Sequence, residues 1–373
     1  MGDTELRFEG ADRKVFDDAV RFAIKAIDAR PHKPADALTR FVISDEQLVI
    51  SATSAEQTRW TTVPVPGAPD AAFAVAGTLM GNLLRTLPDG PLTVTVGSKM
   101  ELRTGRLRFG LRTQDVPDDQ IVRPADADAD AITVAGSVLA RAATKAAKCA
   151  DSKQDSPLSG VHASCDGSSL TLAATDRHRL IAVDVDIIGG TETSALLASN
   201  VLLSIASDAA SFDEVKVELT DDFARFSFGD HVVVSRLVEM NFPAYQKVFD
   251  QHVGNTSVRI EDRKLLVDQI KRLQLVGEGF ENGVIVELTA TPEDGISVEA
   301  AQRDGNDGDG TFDGYPVVGP AQTLKFMSGF VATGLELADG PVNLTVQASD
   351  KPFLFDGGTV DGLRYRYMAM PVR

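Results

Sequence analysis

Two cysteines, Cys149 and Cys165, are the only thiols in 373 residues, and their spacing fits no metal motif. Thiol chemistry is therefore not expected. Histidine is nearly as scarce: His32, His162, His178, His231 and His252 are all there are, and no two have the close spacing of a helical zinc pair. No apolar run approaches the roughly 18 residues of a membrane span. The opening "MGDTELRFEG" has no apolar core of a signal peptide, and Gly2 lacks the Ser or Thr expected of a myristoylation signal. A cytoplasmic, membrane-free protein is expected.

Catalytic signatures are missing too. There is no phosphate-cradling GxxxxGK[ST] and no GxSxG elbow. "DRHRL" is not the kinase "HRD", because Asp176 precedes the histidine and no Asp follows it. "RDGNDGDGT" (Arg303 to Thr311) hints at calcium. However, Gly308 takes a ligand position and Tyr315 stands where a bidentate Glu belongs. No nucleophile–base or acid–base constellation emerges, so no catalytic residue, metal or cofactor is assigned.

Positive charge is in deficit: 37 Lys and Arg face 54 Asp and Glu, for a net −17. Such a total argues against nucleic acid unless the basic residues gather on one face.

What is present is a repeat. Three segments open with a short alternating strand and run into an amphipathic helix: "ELRFEGADRKVFDDAVRFAIKAI", "ITVAGSVLARAATKAAKCA" and "SVRIEDRKLLVDQIKRLQLV". Leu6, Ile132 and Val258 align at steps of 126 residues. Each repeat has a second strand-plus-helix ("AAFAVAGTLMGNLLRTL", "SALLASNVLLSIASDAA", "TLKFMSGFVATGLEL"), then another alternating strand. The fold class is α+β, as three domains with an internal pseudo-twofold strand–helix–strands pattern: 1–127, 128–253 and 254–373. "RPADADADA" and "DQHVGNTS" read as the joints.

The first helix of every repeat carries basic residues. In the second, Ser137 reads as N-cap, with Arg141, Lys145 and Lys148 on one face and Leu139 among alanines on the other. Lys14, Arg21 and Lys25 share a face in the first repeat, as do Lys264 and Lys271 in the third. Singly, each face is an ordinary solvated one. Repeated three times, they could line one surface that meets phosphates without reading sequence.

"TDRHRLIAV" resembles the "TDGHRLA" stretch of the bacterial β sliding clamp family. "NFPAYQKVF" resembles that family's "FPDYRRV", "YMAMPVR" its C-terminal "YVVMPMR", and "ARPHKPADAL" its "RPTLPIL". The resemblance covers the whole chain. It implies the DNA clamp fold, a head-to-tail homodimer and a six-domain ring around duplex DNA, held without sequence readout. It also implies a non-catalytic processivity subunit of a DNA polymerase. Partners would be the replicative polymerase α subunit, the clamp loader, repair polymerases and other clamp-binding-motif proteins.

Carried over residue by residue, the resemblance implies a pocket for Gln-Leu-x-Leu-Phe peptides. Its residues would be Leu158, Thr175, Arg177, His178, Arg179, Leu180, Pro243, Val248, Phe330, Met368, Met370 and Pro371. "RLRFGLRT" matches the family's interface strand, so Phe109 and Leu111 would meet Leu273 and Leu275 of a second copy. The chain departs from the pattern at Arg177, where the family has Gly. It departs again at "SATSAEQTRW" and in second helices poor in basic residues. An arginine there must avoid positive φ or bear strain. These departures leave room for a specialised second clamp, with altered partners or inhibitor resistance, or a clamp-fold scaffold without the main replicative role.

Overall fold

The computed structural model describes residues 4–31, 33–117, 120–122, 131–151, 156–275, 283–300, 308–312 and 315–372. His32, most of the first joint with the 127/128 boundary, and Arg303 to Asp307 lie outside the described residues. The helices are α1 (Gly10–Ile24), α2 (Gly77–Thr86), α3 (Gly136–Ala147), α4 (Ser199–Ala209), α5 (Gln246–Asp250), α6 (Arg263–Leu273) and α7 (Ser328–Leu337).

Element order repeats as strand, helix, three strands, strand, helix, three strands. In the first repeat this runs Thr4–Phe8, α1, Leu38–Ser44, Gln47–Thr53, Gln57–Pro64, Ala71–Ala76, α2, Leu92–Val96, Lys99–Thr104 and Leu107–Arg112. The second repeat follows the same order around α3 and α4 and is trailed by α5; the third follows it around α6 and α7 with one extra short strand, Val317–Val318.

The chain divides into two compact units, residues 1–133 with 212–237 and residues 134–211 with 238–373. These do not coincide with three sequence repeats, and strand pairing gives the reason. In the first unit the strands lie in the order Ala71–Ala76, Leu38–Ser44, Gln47–Thr53, Gln57–Pro64, His231–Arg236, Phe223–Phe228, Val215–Leu219. Gln57–Pro64 of the first repeat thus pairs antiparallel with His231–Arg236 of the second, His231 opposite Thr61. The second unit does the same: Thr193–Ala198, Gly160–Cys165, Ser169–Thr175, Arg179–Asp186, Leu363–Ala369, Phe353–Val360, Val342–Val346, Thr256–Ile260, Val317–Val318. Here Arg179–Asp186 of the second repeat pairs with Leu363–Ala369 of the third. The joint expected at Asp250 to Ser257 falls inside this unit, between α5 and Thr256–Ile260.

Each unit also holds a four-stranded sheet. In the first its order is Thr4–Phe8, Leu92–Val96, Lys99–Thr104, Leu107–Arg112, so Leu107–Arg112 is an edge. In the second it is Asp309–Phe312, Gly295–Ala300, Ile285–Thr291, Gln322–Met327, with Asp309–Phe312 at an edge.

Strict alternation on the half-buried strands supplies the cores. In the first unit Phe16 and Val20 of α1 pack with Phe41, Ile50, Met80, Leu92 and Met100. Phe8 stacks on Phe16 at 4.3 Å between centroids, and Phe41 on Phe73 at 5.1 Å. Leu111 is buried in this same core, and Phe109 packs half-buried against it. Leu273 is buried at the end of α6, whereas Leu275 is 84% exposed. Of the four residues expected to meet a second copy, Leu111 and Leu273 are therefore internal. An edge strand or helix end carries core residues on its inner face as any other does.

On α3, Leu139, Ala142, Ala143 and Ala146 are fully buried, as the small-residue face requires. Two expectations for this helix fail. Its N-cap is Ala135, with no side-chain cap bond, so Ser137 lies within the first turn. Lys145 is buried rather than facing outward. Its ammonium donates to the carbonyl of Leu337 and to Asp339 Oδ1 at 2.9 Å, and lies 6.0 Å from the Tyr365 ring centroid. The reason is at the end of α7, whose last turn has no basic residue of its own. Its terminal carbonyls are met by cations of other helices: Arg263 donates to Leu335 O and Lys145 to Leu337 O.

Glycine permits one close approach that bears on the site. A Cβ on Gly334 of α7 would lie 2.7 Å from ring carbons of Tyr367. The hydroxyls of Tyr365 and Tyr367 donate to the carbonyls of Gly334 (2.5 Å) and Phe330 (2.7 Å). The last strand thereby clamps α7, which carries Phe330.

Candidate functional site

The turn between Ser169–Thr175 and Arg179–Asp186 is built by Asp176. Its Oδ1 accepts the backbone N–H of His178 (3.0 Å) and of Arg179 (2.8 Å), while Oδ2 accepts Arg179 Nε (2.9 Å) and Nη2 (2.7 Å). Thr175 Oγ1 donates to the Arg179 carbonyl (2.5 Å) and accepts the Arg177 N–H (3.2 Å). This is an Asx-type turn, and "TD" ahead of it was its signal. The sequence reading missed Asp176 as the hub. Arg179 and Asp176 neutralise each other, and neither is a free catalytic group.

Arg177 adopts φ +77°, the left-handed region that glycine enters freely. A side chain there costs about 1 kcal/mol. Arg177→Gly is therefore expected to raise stability by about 0.5–1 kcal/mol, read as a higher urea midpoint at unchanged slope. A lower midpoint would mean that the arginine side chain contributes contacts outweighing its backbone strain.

Around this turn the structure gathers most of the carried-over residues. Leu180 lies opposite Met368 across the strand pair, and Arg179 opposite Ala369. Leu180 and Met368 are buried in one apolar cluster with Ala173, Ala182, Tyr245 and Phe249; Phe242 and Leu354 pack against it. Leu158 is buried on the one-turn helix Pro157–Ser159, beside Ser169–Thr175. Pro243 and Val248 are both exposed, on the segment whose Tyr245 and Phe249 enter the cluster. Sequence reading took Pro243 and Val248 from this segment and missed Phe242, Tyr245 and Phe249, the side chains that seat it.

The C-terminal tail completes the arrangement. The Met370 N–H donates to the His178 carbonyl (2.9 Å), and the Val372 N–H to the Lys325 carbonyl (2.7 Å). The tail, with Pro371 half-buried between these bonds, thus runs from the turn to the strand leading into α7. Phe330 is buried there; His178 stacks on it at 5.9 Å and the Arg179 guanidinium lies 5.0 Å from its centroid. Met370 is left partly exposed beside an exposed His178. Exposed around the turn, the tail and the 241–249 segment are Pro243, Val248, Met370, Arg177 and His178, while Leu158, Leu180, Met368 and Phe330 lie buried beneath them.

The same sheet face continues into a polar cleft of about 750 Å³ lined by His162, Ser164, Thr171, Asp184, Tyr245 and Arg366. Arg366 Nη2 donates to both Asp184 oxygens (3.1 and 2.9 Å), and Thr171 Oγ1 to Asp184 Oδ1 (2.8 Å). Burial pushes the His162 pKa down, and its ring stacks on Phe242 at 5.2 Å. Elsewhere burial pushes the Cys149 thiol up to about 12, which keeps it protonated.

The basic faces are thinner than the sequence suggests. Lys14, Lys25, Lys148 and Lys264 are exposed. Arg21 pairs with Asp18 (3.2 Å), Arg141 with Asp339 (2.7 Å) and Lys271 with Glu336. Lys145 is occupied inside the fold.

Residues 133–244 match the family described as DNA polymerase III beta subunit, central domain. A beta sliding clamp of Streptomyces coelicolor is 28% identical over 390 aligned positions, covering 97% of this chain and 98% of that protein. A beta sliding clamp homolog of Streptomyces muensis, named GriR, is 25% identical and covers 99% of both. The fold is that of the Bacillus subtilis DNA polymerase sliding clamp, with a TM-score of 0.87 at 17% identity over the full length of both chains. From end to end, then, the chain is similar to bacterial β sliding clamps and has their fold, and residues 133–244 match the central domain of that family.

Proposed function

We propose that this protein is a DNA sliding clamp: a non-catalytic processivity subunit that encircles duplex DNA and tethers a polymerase and other partners through the pocket at the Thr175–Arg179 turn. Two copies, each of three clamp domains (1–127, 128–253, 254–373), close the ring head to tail.

The observation that carries the reading is a mismatch in the sheets. In both completed sheets, the third strand of one half-repeat pairs with the last strand of another: Gln57–Pro64 with His231–Arg236, and Arg179–Asp186 with Leu363–Ala369. The two strands left over by this rule are Asp309–Phe312 and Leu107–Arg112, and both are open edges. Open edges invite pairing. A second copy pairs them, and because the contact joins unlike ends, two contacts close a ring. Phe109 and the exposed Leu275 are the apolar candidates for this contact. Encirclement also explains how a −17 chain with few free cations serves on DNA: a topological link needs little electrostatic affinity.

The test is retention by topology. A solution mass of twice the 39.8 kDa chain is the first expected result. The protein is then diluted to dissociate, reassociated on a nicked circular plasmid and filtered in about 0.5 M salt, where exposed charge contacts are screened. Retention on the circle with release on linearisation is the expected result. Equal loss from circular and linear DNA would sink the ring reading.

A further inference from the structure

We propose that Arg177 is a specificity-determining residue of the pocket, selecting partner segments that carry a carboxylate beside their apolar anchors. This rests on the reading of the pocket as a peptide site.

Three observations carry it. Arg177 stands at φ +77° on the pocket's lip, where its backbone is strained. Its side chain is exposed and has no ion-pair or hydrogen-bond partner among the described residues, so no polar contact within the fold compensates the strain. The charges around it are already satisfied. Both Asp176 oxygens are held by Arg179 and by the backbone of the turn, and Lys325, next to the tail, pairs with Glu287 at 3.1 Å. Arg177 is thus the unneutralised charge of a rim whose other exposed member is His178. An arginine so placed attracts a carboxylate, and its planar fork can take one in a bidentate grip. An apolar segment with only neutral neighbours gains nothing from it.

The experiment uses the full-length protein and fluorescent Gln-Leu-x-Leu-Phe peptides. One set is neutral throughout. The others carry a single Asp at the central position, just before the Gln, or just after the Phe. At least one acidic peptide is expected to bind about three- to tenfold more tightly than the neutral one at low salt. That preference should shrink as salt rises through about 0.5 M. It should fall to parity in Arg177→Gln and Arg177→Gly, and persist in part in Arg177→Lys. Glycine relieves the φ strain, so a folding defect does not confuse the comparison.

Parity of all peptides on the wild type overturns the proposal while leaving the pocket reading intact. So does a preference that survives Arg177→Gln, or an Arg177→Gln effect confined to DNA retention. Failure of every peptide to bind a folded dimer removes the pocket reading and the proposal together.

Discussion

Met370→Asp is expected to lower affinity for the neutral Gln-Leu-x-Leu-Phe peptide about 100-fold or more while the protein keeps its fold. Met370 is held by its backbone, through the bond from its N–H to the His178 carbonyl, and aspartate retains that bond. Met370 is 37% exposed and lies outside the buried cluster of Leu180, Met368 and Phe249, so the core survives its replacement. In the proposed complex, however, the side chain would become part of an apolar wall. Losing a buried methionine contact costs about 1.5–3 kcal/mol. Placing an unpaired carboxylate against leucine anchors adds about 1–3 kcal/mol more. Their sum, about 2.5–6 kcal/mol, starts close to the ~2.7 kcal/mol that corresponds to 100-fold and extends well above it. Met368→Asp is the contrast. Met368 is buried in the cluster with Leu180 and Phe249, so a charge there should unfold the second unit rather than silence the pocket. Fluorescence anisotropy with parallel thermal melts separates the two. Undiminished binding by Met370→Asp would place the peptide elsewhere, and the polar cleft at Asp184 and Arg366 would be the next surface to probe.

That the Thr175–Arg179 turn, the C-terminal tail and Phe330 come together was legible because they sit in short motifs, where one turn, one tail and one strand pair do the positioning. Arg177 was legible in a stronger sense. A residue standing where glycine belongs had to avoid positive φ or endure it, and it endures it at +77°. The interface and the basic faces were less legible, for a common reason. Phe109 and Leu111 alternate on one face of an edge strand, and sequence cannot say whether that face meets its own core or a second chain. Leu111 meets its own core. Likewise Arg141, Lys145 and Lys148 form a helical stripe by spacing alone. The partner that draws Lys145 inward, Asp339, lies 194 residues away, and no local periodicity encodes it. The sheet rule that leaves Asp309–Phe312 and Leu107–Arg112 unpaired is equally tertiary: it needs to be known which strands of different repeats pair.

Lys145→Met should cost the second unit about 3 kcal/mol, read from the denaturation transition of that unit, although Met nearly preserves the side chain's length and packing. The ammonium is buried, and removing it leaves two acceptors short at once: the Leu337 carbonyl at the end of α7 and the Asp339 carboxylate. Breaking a buried pair from one side costs about 3–5 kcal/mol; the lower end applies because Asp339 keeps its 2.7 Å bond to Arg141. The pH dependence has a definite sign. Burial pushes the Asp339 pKa up, but hydrogen bonds and charge from Lys145 and Arg141 outweigh it and hold the group below its usual 3.8. A carboxylate lowered in the folded state contributes stability above its unfolded pKa, and that contribution is lost as pH falls through the folded value. The gap between wild type and Lys145→Met should therefore be full at neutral pH and narrow below about pH 4. Lys145→Met combined with Asp339→Asn should cost less than the sum of the two single changes, because the carboxylate that Lys145 neutralises is then absent as well. Strict additivity would mean that the two side chains act independently. Lys145 would then be a packing residue rather than the cation that closes α7.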